Sequence, residues 1–486
     1  MINRRTVVLI RPDFGESLQF MYKQQNPPIG IGYLASYLEQ HGYEVHVLDL
    51  SIKRVYFSTV VEFITKKKPI FVGISSLTAY YMGAKKLALE LRNHLPDLIL
   101  VMGGVHPSFL PECVIRECNA NFVVIGEGEM TLLELTRAIE NGETDFSMIK
   151  GIAYKDGDEI KFTVNRDLIA DLDSLPMPAW YKINPNKYPK NPHGGISKYD
   201  RVAPIISSRG CPYSCHYCAS CKFWKQRIRF RSPEKVVDEI QYLHKNFGIR
   251  EIHFWDDNIT LKRDHIISIC KEIIKRGLNV MAFNAPNGVK VDTLDKTVLR
   301  WMKAAGFYAL TYAIESGSRL ILRDVGKKID LAKIVRNIII AHNLGIKLNS
   351  FFMIGFPGET METIRKTMQF ANSVPLDYRT FFILKPLPGS KIFLDWTGSK
   401  DMMDYDWDEM KCYLEASDLK INELPPELIK KMHKKAQNIN FIPPSRLINF
   451  IFNLIRFSHL SQMKLQVERF VHVIAGYNIA VYHETS

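Results

Sequence analysis

Four cysteines lie close together near the middle of the chain. In the segment RGCPYSCHYCASC (209–221), Cys211, Cys215, Cys218 and Cys221 follow the spacing C-x3-C-x2-C-x2-C. The protein has eight cysteines in 486 residues, so half of them stand in this one segment. Four kinds of site are compatible with such a group: zinc, an electron-transfer cluster, a reactive cluster with an open coordination position, and a disulfide. Other features of the sequence distinguish them.

The amino terminus shows no sign of export. The segment MINRRTVVLIRPDFGE (1–16) has too short an apolar stretch for a signal peptide, and no cleavage site follows it. No uncharged apolar run reaches the ~18 residues that a membrane-spanning helix needs. We therefore expect a cytoplasmic protein, in which thiols stay reduced and clustered cysteines indicate a metal more often than a disulfide.

The composition is that of a folded protein with a basic surplus. It has 46% hydrophobic and 24% charged residues, and its length predicts two or three domains. The formal net charge of +13 suggests nucleic acid, anionic lipid or an acidic cofactor as a partner. The strongest basic run, KFWKQRIRFR (222–231), is compatible with RNA binding, but a solvated or phosphate-facing edge explains it as well. With no separate RNA-binding domain in the sequence, we expect no nucleic-acid partner.

Residues 1–145 alternate between short apolar runs and segments with helical spacing. The predicted strands are 6–10, 44–50, 70–76, 98–104 and 121–129. The predicted helices are 29–41, 58–67, 82–94, 110–118 and 129–141. Uninterrupted apolar strands separated by helices indicate a parallel sheet that is covered on both faces. The sequence therefore predicts an α/β fold that begins with a doubly wound, five-stranded domain.

In such a domain, ligands bind at the carboxyl ends of the strands. Small and polar residues follow three of these strands: Ser75, Ser76 and Thr78; Gly103, Gly104 and His106; Gly126, Glu127 and Gly128. No G-x-G-x-x-G turn follows the first strand, which counts against a dinucleotide site. The loops predict a ligand approached by backbone, although each glycine alone is also compatible with an ordinary tight turn.

Residues 146–200 have the composition of a connector, with a predicted hairpin turn at Asp156-Gly157 and a proline-rich extended stretch. From 201 to 395 the chain returns to six strand–helix units, in which catalytic loops follow the strands. Six units are fewer than the eight of a closed barrel, so we predict an open, partial β/α barrel. A helical region, 396–486, follows, and its apolar segment 444–460 either packs on the barrel or rests on a membrane surface.

The location of the cysteines narrows the choice of metal. The first barrel strand is predicted to end at Ser208, so the cysteine segment lies on the catalytic rim. Zinc usually takes two separated cysteine pairs, and ferredoxin clusters occupy small domains built for electron transfer. Three cysteines can hold three irons of a 4Fe–4S cube and leave the fourth iron open, and this interpretation fits the rim best.

The segment resembles the signature of radical S-adenosylmethionine enzymes, which is C-x3-C-x2-C with an aromatic residue, here Tyr217, before the last cysteine. The resemblance implies that Cys211, Cys215 and Cys218 bind a catalytic 4Fe–4S cluster and that Cys221 is only a neighbour. It further implies that the open iron binds S-adenosylmethionine, whose one-electron cleavage gives a 5′-deoxyadenosyl radical. The electron would come from a donor such as flavodoxin or ferredoxin.

The same resemblance implies further contacts to S-adenosylmethionine at later strand ends. They are Asp256, Asp257 and Asn258 for the methionine end, Glu315 and Ser316 for the ribose, and Gly355, Phe356 and Gly358 for the adenine. Taken singly, each of these residues is also compatible with an ordinary turn or helix cap. Their order along the predicted strands supports the assignment.

The amino-terminal domain resembles that of the cobalamin-binding members of this family, on the segment PPIGIGYLASYLEQHGYEV (27–45). The resemblance implies that the loops Ser75–Thr78, Gly103–Pro107 and Gly126–Glu129 surround the corrin and its nucleotide tail. The chain lacks the D-x-H-x-x-G motif that places a histidine below cobalt in other cobalamin proteins. His106 is no substitute by spacing, so the lower cobalt ligand is left unidentified.

These resemblances imply an enzyme that uses cobalamin and S-adenosylmethionine to methylate an unactivated carbon of a small-molecule or lipid-like substrate. One alternative keeps both cofactors but forms or rearranges rings. A second is a non-enzymatic corrinoid or iron–sulfur protein, and a third is a radical RNA-modifying enzyme. The aromatic residues and the apolar tail permit a hydrophobic substrate without identifying it.

Overall fold

The computed structural model describes residues 5–13, 25–52, 55–189, 197–398, 402–403, 405–410 and 421–438. Within these ranges the chain forms two units, each built on a parallel or mostly parallel β-sheet with helices packed against it. The predicted α/β class, a doubly wound domain followed by a partial barrel, is confirmed.

The strands of the first sheet are β1 (Thr6–Arg11), β2 (Glu44–Asp49), β3 (Val72–Ser75), β4 (Leu100–Gly103), β5 (Phe122–Val124), β6 (Ile152–Asp156) and β7 (Glu159–Phe162). Their spatial order is β2-β1-β3-β4-β5-β6-β7. The helices of this unit are α1 (Ile29–Gln40), α2 (Phe57–Lys67), α3 (Tyr81–His94), α4 (Val105–Phe109), α5 (Pro111–Cys118) and α6 (Gly128–Glu140). Strand order reverses between β1 and β3, which is where doubly wound sheets open a ligand crevice.

The uninterrupted apolar sequence of β1 follows from its burial on both faces. Val8 and Ile10 pack in a core with residues of α2, α3 and α5. Val7 and Leu9 point the other way and pack with residues of α1 and α6. Successive side chains of a strand alternate between faces, so a central strand covered by two helical layers needs apolar residues at every position.

The first sheet is larger than the five predicted strands. The hairpin of β6 and β7, which the sequence assigned to the connector, pairs antiparallel with β5 through the register Phe122↔Tyr154 and Val124↔Ile152. Without β6, the backbone of β5 would form an exposed sheet edge, and such edges are normally covered. The sheet therefore extends beyond residue 145, to Phe162.

The second unit contains β8 (Val202–Ile205), β9 (Ser208–Arg209), β10 (Arg229–Phe230), β11 (Glu251–Phe254), β12 (Ala282–Val289), β13 (Phe307–Glu315), β14 (Lys347–Ile354) and β15 (Tyr378–Ile383). Six of these strands form a parallel sheet in the order β15-β14-β13-β12-β11-β8. β9 and β10 form a separate antiparallel ladder beside it. The helices are α7 (Ser220–Phe223), α8 (Pro233–Phe247), α9 (Arg263–Lys275), α10 (Lys296–Ala304), α11 (Arg319–Asp324), α12 (Leu331–Asn343), α13 (Met361–Ser373), α14 (Lys391–Thr397) and α15 (Pro426–Gln437).

The barrel is open, as predicted, with β8 and β15 at its two edges. Helix α15 covers the β15 edge. His433 Nε2 and Gln437 Nε2 each lie 2.8 Å from the carbonyl oxygen of Phe381. In the described chain no seventh strand pairs with β15, so its backbone forms a sheet edge. The two contacts give the Phe381 carbonyl group at this edge its hydrogen-bond donors.

The carboxyl-terminal region contributes to both units. Trp407 and Met410 are buried against the helices of the first domain, and α15 packs on the barrel. The segment 444–460, for which the sequence left barrel packing and membrane contact open, lies outside the described residues. Of the helices that the structure describes, none is long and apolar enough to span a bilayer.

Candidate active site

A single cavity of about 800 Å³ lies where the carboxyl ends of both sheets meet. Ten of the predicted site residues line it: Ser75, Gly103, Gly104, Gly126, Glu127 and Gly128 from the first domain, and Tyr217, Cys218, Asp257 and Glu315 from the barrel. The two groups were predicted separately, from different parts of the chain. The fold brings them to one space, which can hold large ligands between two rigid sheets.

The cysteine segment connects β9 to α7 at the rim of this cavity, and none of its four cysteines forms a disulfide. Gly210 sets the approach to Cys211, because its φ is +103° and a Cβ there would clash with the carbonyl oxygen of Arg227. Its amide donates a hydrogen bond to Asp257 Oδ2 at 3.2 Å. Only glycine adopts this conformation without strain, so the glycine before Cys211 has a structural cause.

The thiols of the cysteine segment are donors of the type that an iron–sulfur cluster takes. Among the side chains that the structure describes, no three His, Cys, Asp or Glu groups are arranged to hold one ion. A cube instead takes each thiolate on a separate iron. Burial raises the pKa of Cys218 to about 12, so metal binding must displace a proton from this thiol.

The fourth cysteine has a different environment. Cys221 is buried on α7, and its Sγ donates a hydrogen bond to the carbonyl oxygen of Cys218 at 3.2 Å. The thiol therefore has a backbone partner. This contact favours three cysteine ligands rather than four.

Glu315 is constrained in both its backbone and its side chain. It ends β13 with a φ of +70°, next to an irregularity in the pairing of β13 with β14. Its Oε1 accepts hydrogen bonds from Tyr217 Oη at 3.0 Å and from Lys327 Nζ at 3.4 Å. A non-glycine residue in the left-handed region is costly and persists where surrounding contacts hold it, most often at functional sites.

Lys327 was not predicted from the sequence. It is buried beside Glu315. Burial alone would lower the pKa of its ammonium group, but the Glu315 carboxylate and, after it, Cys215 and Cys218 raise the pKa above its usual value. Its Nζ lies 6.0 Å from the centre of the Tyr217 ring. Glu315 and Lys327 thus form a buried ion pair beside the cysteine segment, and Glu315 is the partner that lines the cavity.

The three polar residues after β11 have separate surroundings. Asp256 is buried below the rim, where Ser207 and Ser208 donate hydrogen bonds to its Oδ1. Asn258 Oδ1 accepts from the amide and hydroxyl of Thr260. Asp257 alone of the three lines the cavity, and burial raises the pKa of its carboxyl group. Asp257 therefore faces the cavity, whereas Asp256 and Asn258 stabilise the loops at its rim.

The predicted adenine residues and Ser316 do not line the cavity. The Ser316 hydroxyl lies 2.9 Å from Thr367 Oγ1 and accepts from the amide of Ser318. Phe356 is buried behind Tyr217, with ring centres 5.6 Å apart. Gly355 and Gly358 shape the turn after β14 with positive φ angles of +99° and +71°.

Glu359 holds that turn and was also missed. Its Oε2 accepts hydrogen bonds from the amides of Gly355 at 2.6 Å and Phe356 at 3.3 Å, while Oε1 is buried without a partner among the described residues. Burial raises the pKa of Glu359 to about 7. The folded protein therefore retains a proton between about pH 4.5 and 7 that the unfolded chain has lost, and this makes stability fall as the pH rises through that interval.

We expect the Glu359→Gln variant to lose this component of the pH dependence, because glutamine keeps an acceptor oxygen for Gly355 and does not ionise. Because of the raised pKa of Glu359, the free energy of unfolding of the wild type should fall by about 3 kcal/mol from pH 5 to pH 8, and the variant should lack this fall. Melting temperatures of both proteins across this range would measure it. Glu362→Gln, at an exposed position in the first turn of α13, is the control. Parallel curves for Glu359→Gln and wild type would show that Glu359 is ionised in the folded protein.

The loops of the first domain present backbone to the cavity. Gly104 has a φ of +99°, and a Cβ there would lie 2.5 Å from the carbonyl oxygen of Ser76. At Gly103 a Cβ would meet nothing nearer than 3.9 Å, so that position opens onto free space. The backbone of these loops is therefore open to a ligand in the cavity, as the predicted corrin site requires.

His106, Thr78 and Ser76 lie behind this surface rather than on it. The His106 ring stacks on Tyr81 with centres 4.0 Å apart and meets the edge of Trp407 at 4.6 Å. Its Nδ1 lies 3.2 Å from Thr78 Oγ1, and burial lowers the pKa of the imidazole to about 3. His106 is thus a neutral core histidine and does not reach the cavity.

Glu127 lines the cavity, but its carboxylate is already engaged. Its oxygens accept hydrogen bonds from Arg209 and Arg229 and from the amide of Ile169. Arg209, which directly precedes the Gly-Cys pair of the cysteine segment, was not predicted as a site residue. Its partners, Glu127 and Glu129, lie 82 and 80 residues away in the chain.

Two family models match the chain in the two units just described. The model of the B12 binding domain matches residues 21–136, and the model of the radical SAM superfamily matches residues 205–371. The first covers the domain with the glycine loops, and the second covers the barrel with the cysteine segment.

Curated relatives match most of the chain. An uncharacterized methyltransferase of Pyrococcus horikoshii is 31% identical over 92% of this chain and 94% of its own length. An anaerobic magnesium-protoporphyrin IX monomethyl ester cyclase of Rubrivivax gelatinosus is 31% identical over 78% of this chain and 68% of its own. The solved structure of the radical S-adenosylmethionine methyltransferase TsrM from Kitasatospora setae has the same fold, with a TM-score of 0.68 and 20% identity. That match covers 88% of this chain and 83% of TsrM.

The fold and the site define a radical S-adenosylmethionine protein whose barrel follows a cobalamin-binding domain. The chain belongs to the family of cobalamin-dependent radical S-adenosylmethionine enzymes. Its cofactors are a 4Fe–4S cluster, S-adenosylmethionine and cobalamin.

Proposed function

We propose that this enzyme transfers a methyl group to a carbon of a small-molecule substrate whose reacting part is apolar. The observation that carries the proposal is the shared cavity, in which Cys218 and Glu315 of the barrel face the glycine loops of the first domain. Radical chemistry and methyl transfer must act on the same carbon. An enclosed space between the two cofactor sites meets that requirement through proximity.

We assign the cluster to Cys211, Cys215 and Cys218, since the thiol of Cys221 already donates a hydrogen bond to the carbonyl oxygen of Cys218. Asp257, Tyr217 and Glu315, which line the cavity next to Cys218, would hold S-adenosylmethionine, and Lys327 would hold the Glu315 carboxylate in place. When bound, the cluster and S-adenosylmethionine supply one-electron chemistry, and cobalamin supplies the methyl group. The protein positions these groups and excludes water.

Cobalamin would lie against Ser75, Gly103, Gly104, Gly126 and Gly128. All five line the cavity at the carboxyl ends of the first sheet or in the turn before α6. Ser76, Thr78 and His106 would support this surface from behind through the bond between Thr78 and His106. Asp256, Asn258, Ser316, Gly355, Phe356 and Gly358 would similarly support the S-adenosylmethionine site without facing the cavity.

The substrate proposal rests on the barrel wall. Along β14 and β15, alternate residues are less buried, and those of them that line the cavity are Phe351, Met353 and Phe382. Leu384, which follows β15 and is buried, also lines it. The Phe351 and Phe382 rings meet edge to face with centres 5.2 Å apart. Such a wall favours an apolar or aromatic reacting group over a charged one.

The proposal includes the surroundings of the enzyme. Reductive cleavage needs an external electron, so we propose a small redox protein such as flavodoxin or ferredoxin as donor. A cytoplasmic location, with peripheral membrane contact through 444–460, stays a proposal, since that segment lies outside the described residues.

Labelled S-adenosylmethionine separates methyl transfer from ring formation, the alternative that the similarity to a cyclase favours. The protein, reconstituted anaerobically with iron, sulfide and hydroxocobalamin, is supplied with reductant, trideuteromethyl S-adenosylmethionine and a small-molecule extract of its source cells. We expect 5′-deoxyadenosine and a product in which a trideuteromethyl group has replaced hydrogen. A product that has lost hydrogen without gaining deuterium would indicate ring formation, and absence of 5′-deoxyadenosine would contradict both functions.

A further inference from the structure

A buried ion-pair network joins the two domains at the cavity. Arg209 Nη1 lies 2.7 Å from Glu127 Oε1, and Arg209 Nη2 lies 2.7 Å from Glu129 Oε1. The second oxygen of Glu127 accepts from Arg229 Nη1 at 2.6 Å. The exposed fractions of the four side chains are 9% for Arg209, 10% for Arg229, 4% for Glu127 and 5% for Glu129. Two guanidinium groups thus balance two carboxylates in a nearly dry environment.

The barrel end of this network is directly attached to the cysteine segment. Arg209 is separated from Cys211 only by Gly210, whose amide is bonded to Asp257 and whose backbone conformation is restricted to glycine. The pairing of Arg209 with Arg229 in the β9–β10 ladder fixes the backbone on the other side. A displacement of the Arg209 guanidinium would therefore be transmitted to Cys211 and Asp257.

The other end of the network is part of the glycine loop. Glu127 and Glu129 flank Gly128, and Gly126 and Gly128 present backbone to the cavity. Glu129 lies in the first turn of α6, so the loop cannot shift unless the start of this helix shifts too. The Arg209 guanidinium also lies 4.8 Å from the centre of the Tyr33 ring, and Tyr33 belongs to α1 of the same domain.

We propose that Arg209 is a positioning residue. It couples the glycine loop of the cobalamin site, Gly126–Glu129, to the cysteine segment, 209–221, beside which the cluster and S-adenosylmethionine would bind. This inference rests on the cofactor sites assigned under the proposed function. A guanidinium presents a rigid fork of donors that binds two carboxylates at once, which a lysine cannot do. Order imposed on one loop by its cofactor is thereby imposed on the other, and linkage requires the effect to be reciprocal.

The test is the affinity of the cluster-loaded full chain for hydroxocobalamin, measured by visible absorbance with and without S-adenosylmethionine. For the wild type we expect the dissociation constant of hydroxocobalamin to be at least about fivefold larger without S-adenosylmethionine than with it. This ratio is at the lower end of measured couplings. The reverse titration, S-adenosylmethionine with and without hydroxocobalamin, should give the same ratio.

Arg209→Met alone leaves Glu129 buried without its cation, and this variant is expected to lose stability. The double variant Arg209→Met/Glu129→Gln removes one charge of each sign and leaves the Glu127–Arg229 pair intact. We expect it to bind each cofactor alone with wild-type stoichiometry and to show a ratio close to one. Arg276→Met, which breaks an ion pair with Asp238 and Glu272 on the outer helices, is the control and keeps the wild-type ratio.

Two results would overturn the inference while leaving the proposed function intact. One is a wild-type enzyme that binds both cofactors without any coupling. The other is a double variant that keeps the full wild-type ratio. A wild type that binds no hydroxocobalamin at all would instead contradict the proposed function, and the inference with it.

Discussion

Replacing Cys218 by alanine is expected to abolish the iron–sulfur cluster and all cleavage of S-adenosylmethionine. Loss of a direct ligand should exceed the 10- to 100-fold effect of removing a supporting residue, so we expect a fall of more than about 100-fold in 5′-deoxyadenosine formation. Iron content and the visible absorption of the reconstituted protein would measure the loss. Cobalamin binding should persist, because its proposed loops lie on the other domain.

Cys221→Ala is the matched control, since it removes a thiol of the same segment, three residues after Cys218. Its Sγ is bonded to the carbonyl oxygen of Cys218, and alanine removes that bond without removing an iron ligand. We expect cluster content close to that of the wild type. A Cys221→Ala protein without its cluster, or a Cys218→Ala protein with a complete one, would overturn the assignment of three ligands.

Replacing Gly103 by leucine is expected to weaken cobalamin binding while the cluster remains. A Cβ at this position has no atom nearer than 3.9 Å, and Gly103 has no positive φ angle, so the side chain enters the cavity without straining the loop. Overpacking of a close-fitting site costs ~1–3 kcal/mol, which corresponds to a fall of about 5- to 160-fold in affinity. Titration with hydroxocobalamin would measure it.

Lys86→Leu, at an exposed position on α3 of the same domain, is the control for a general effect of added apolar surface. It should bind cobalamin like the wild type. Unchanged affinity in Gly103→Leu would show that the corrin does not lie on this loop, and loss of iron from the same variant would show that the domain itself is damaged.

Local features of the sequence predicted the elements well. The Ser232-Pro233 start of α8 is present, with the serine hydroxyl accepting from the amide of Lys235. The hairpin turn near Asp156-Gly157 is also present, between β6 and β7. Both signals depend on residues adjacent in sequence, whose conformational preferences act within a few positions.

Contacts between distant residues could not be predicted in this way. Asp256 and Asp257 are neighbours with the same side chain, yet one braces the rim and the other faces the cavity, because successive residues point in different directions. The Glu315–Lys327 and Arg209–Glu127 pairs depend on how loops and domains pack. The sequence pattern located the cysteines and the glycine loops, and the resemblance assigned their roles. Neither separated the residues that face the cavity from those behind it.

The central claim is that the cluster and cobalamin face one cavity. Electron paramagnetic resonance of the protein loaded with cob(II)alamin and the reduced cluster tests it most directly, because two unpaired spins in one cavity affect each other's relaxation and line shape. We predict a cob(II)alamin signal that broadens or relaxes faster when the cluster is reduced, and that regains its isolated form in the Cys218→Ala protein. A spectrum equal to the sum of the two singly loaded proteins would contradict the account.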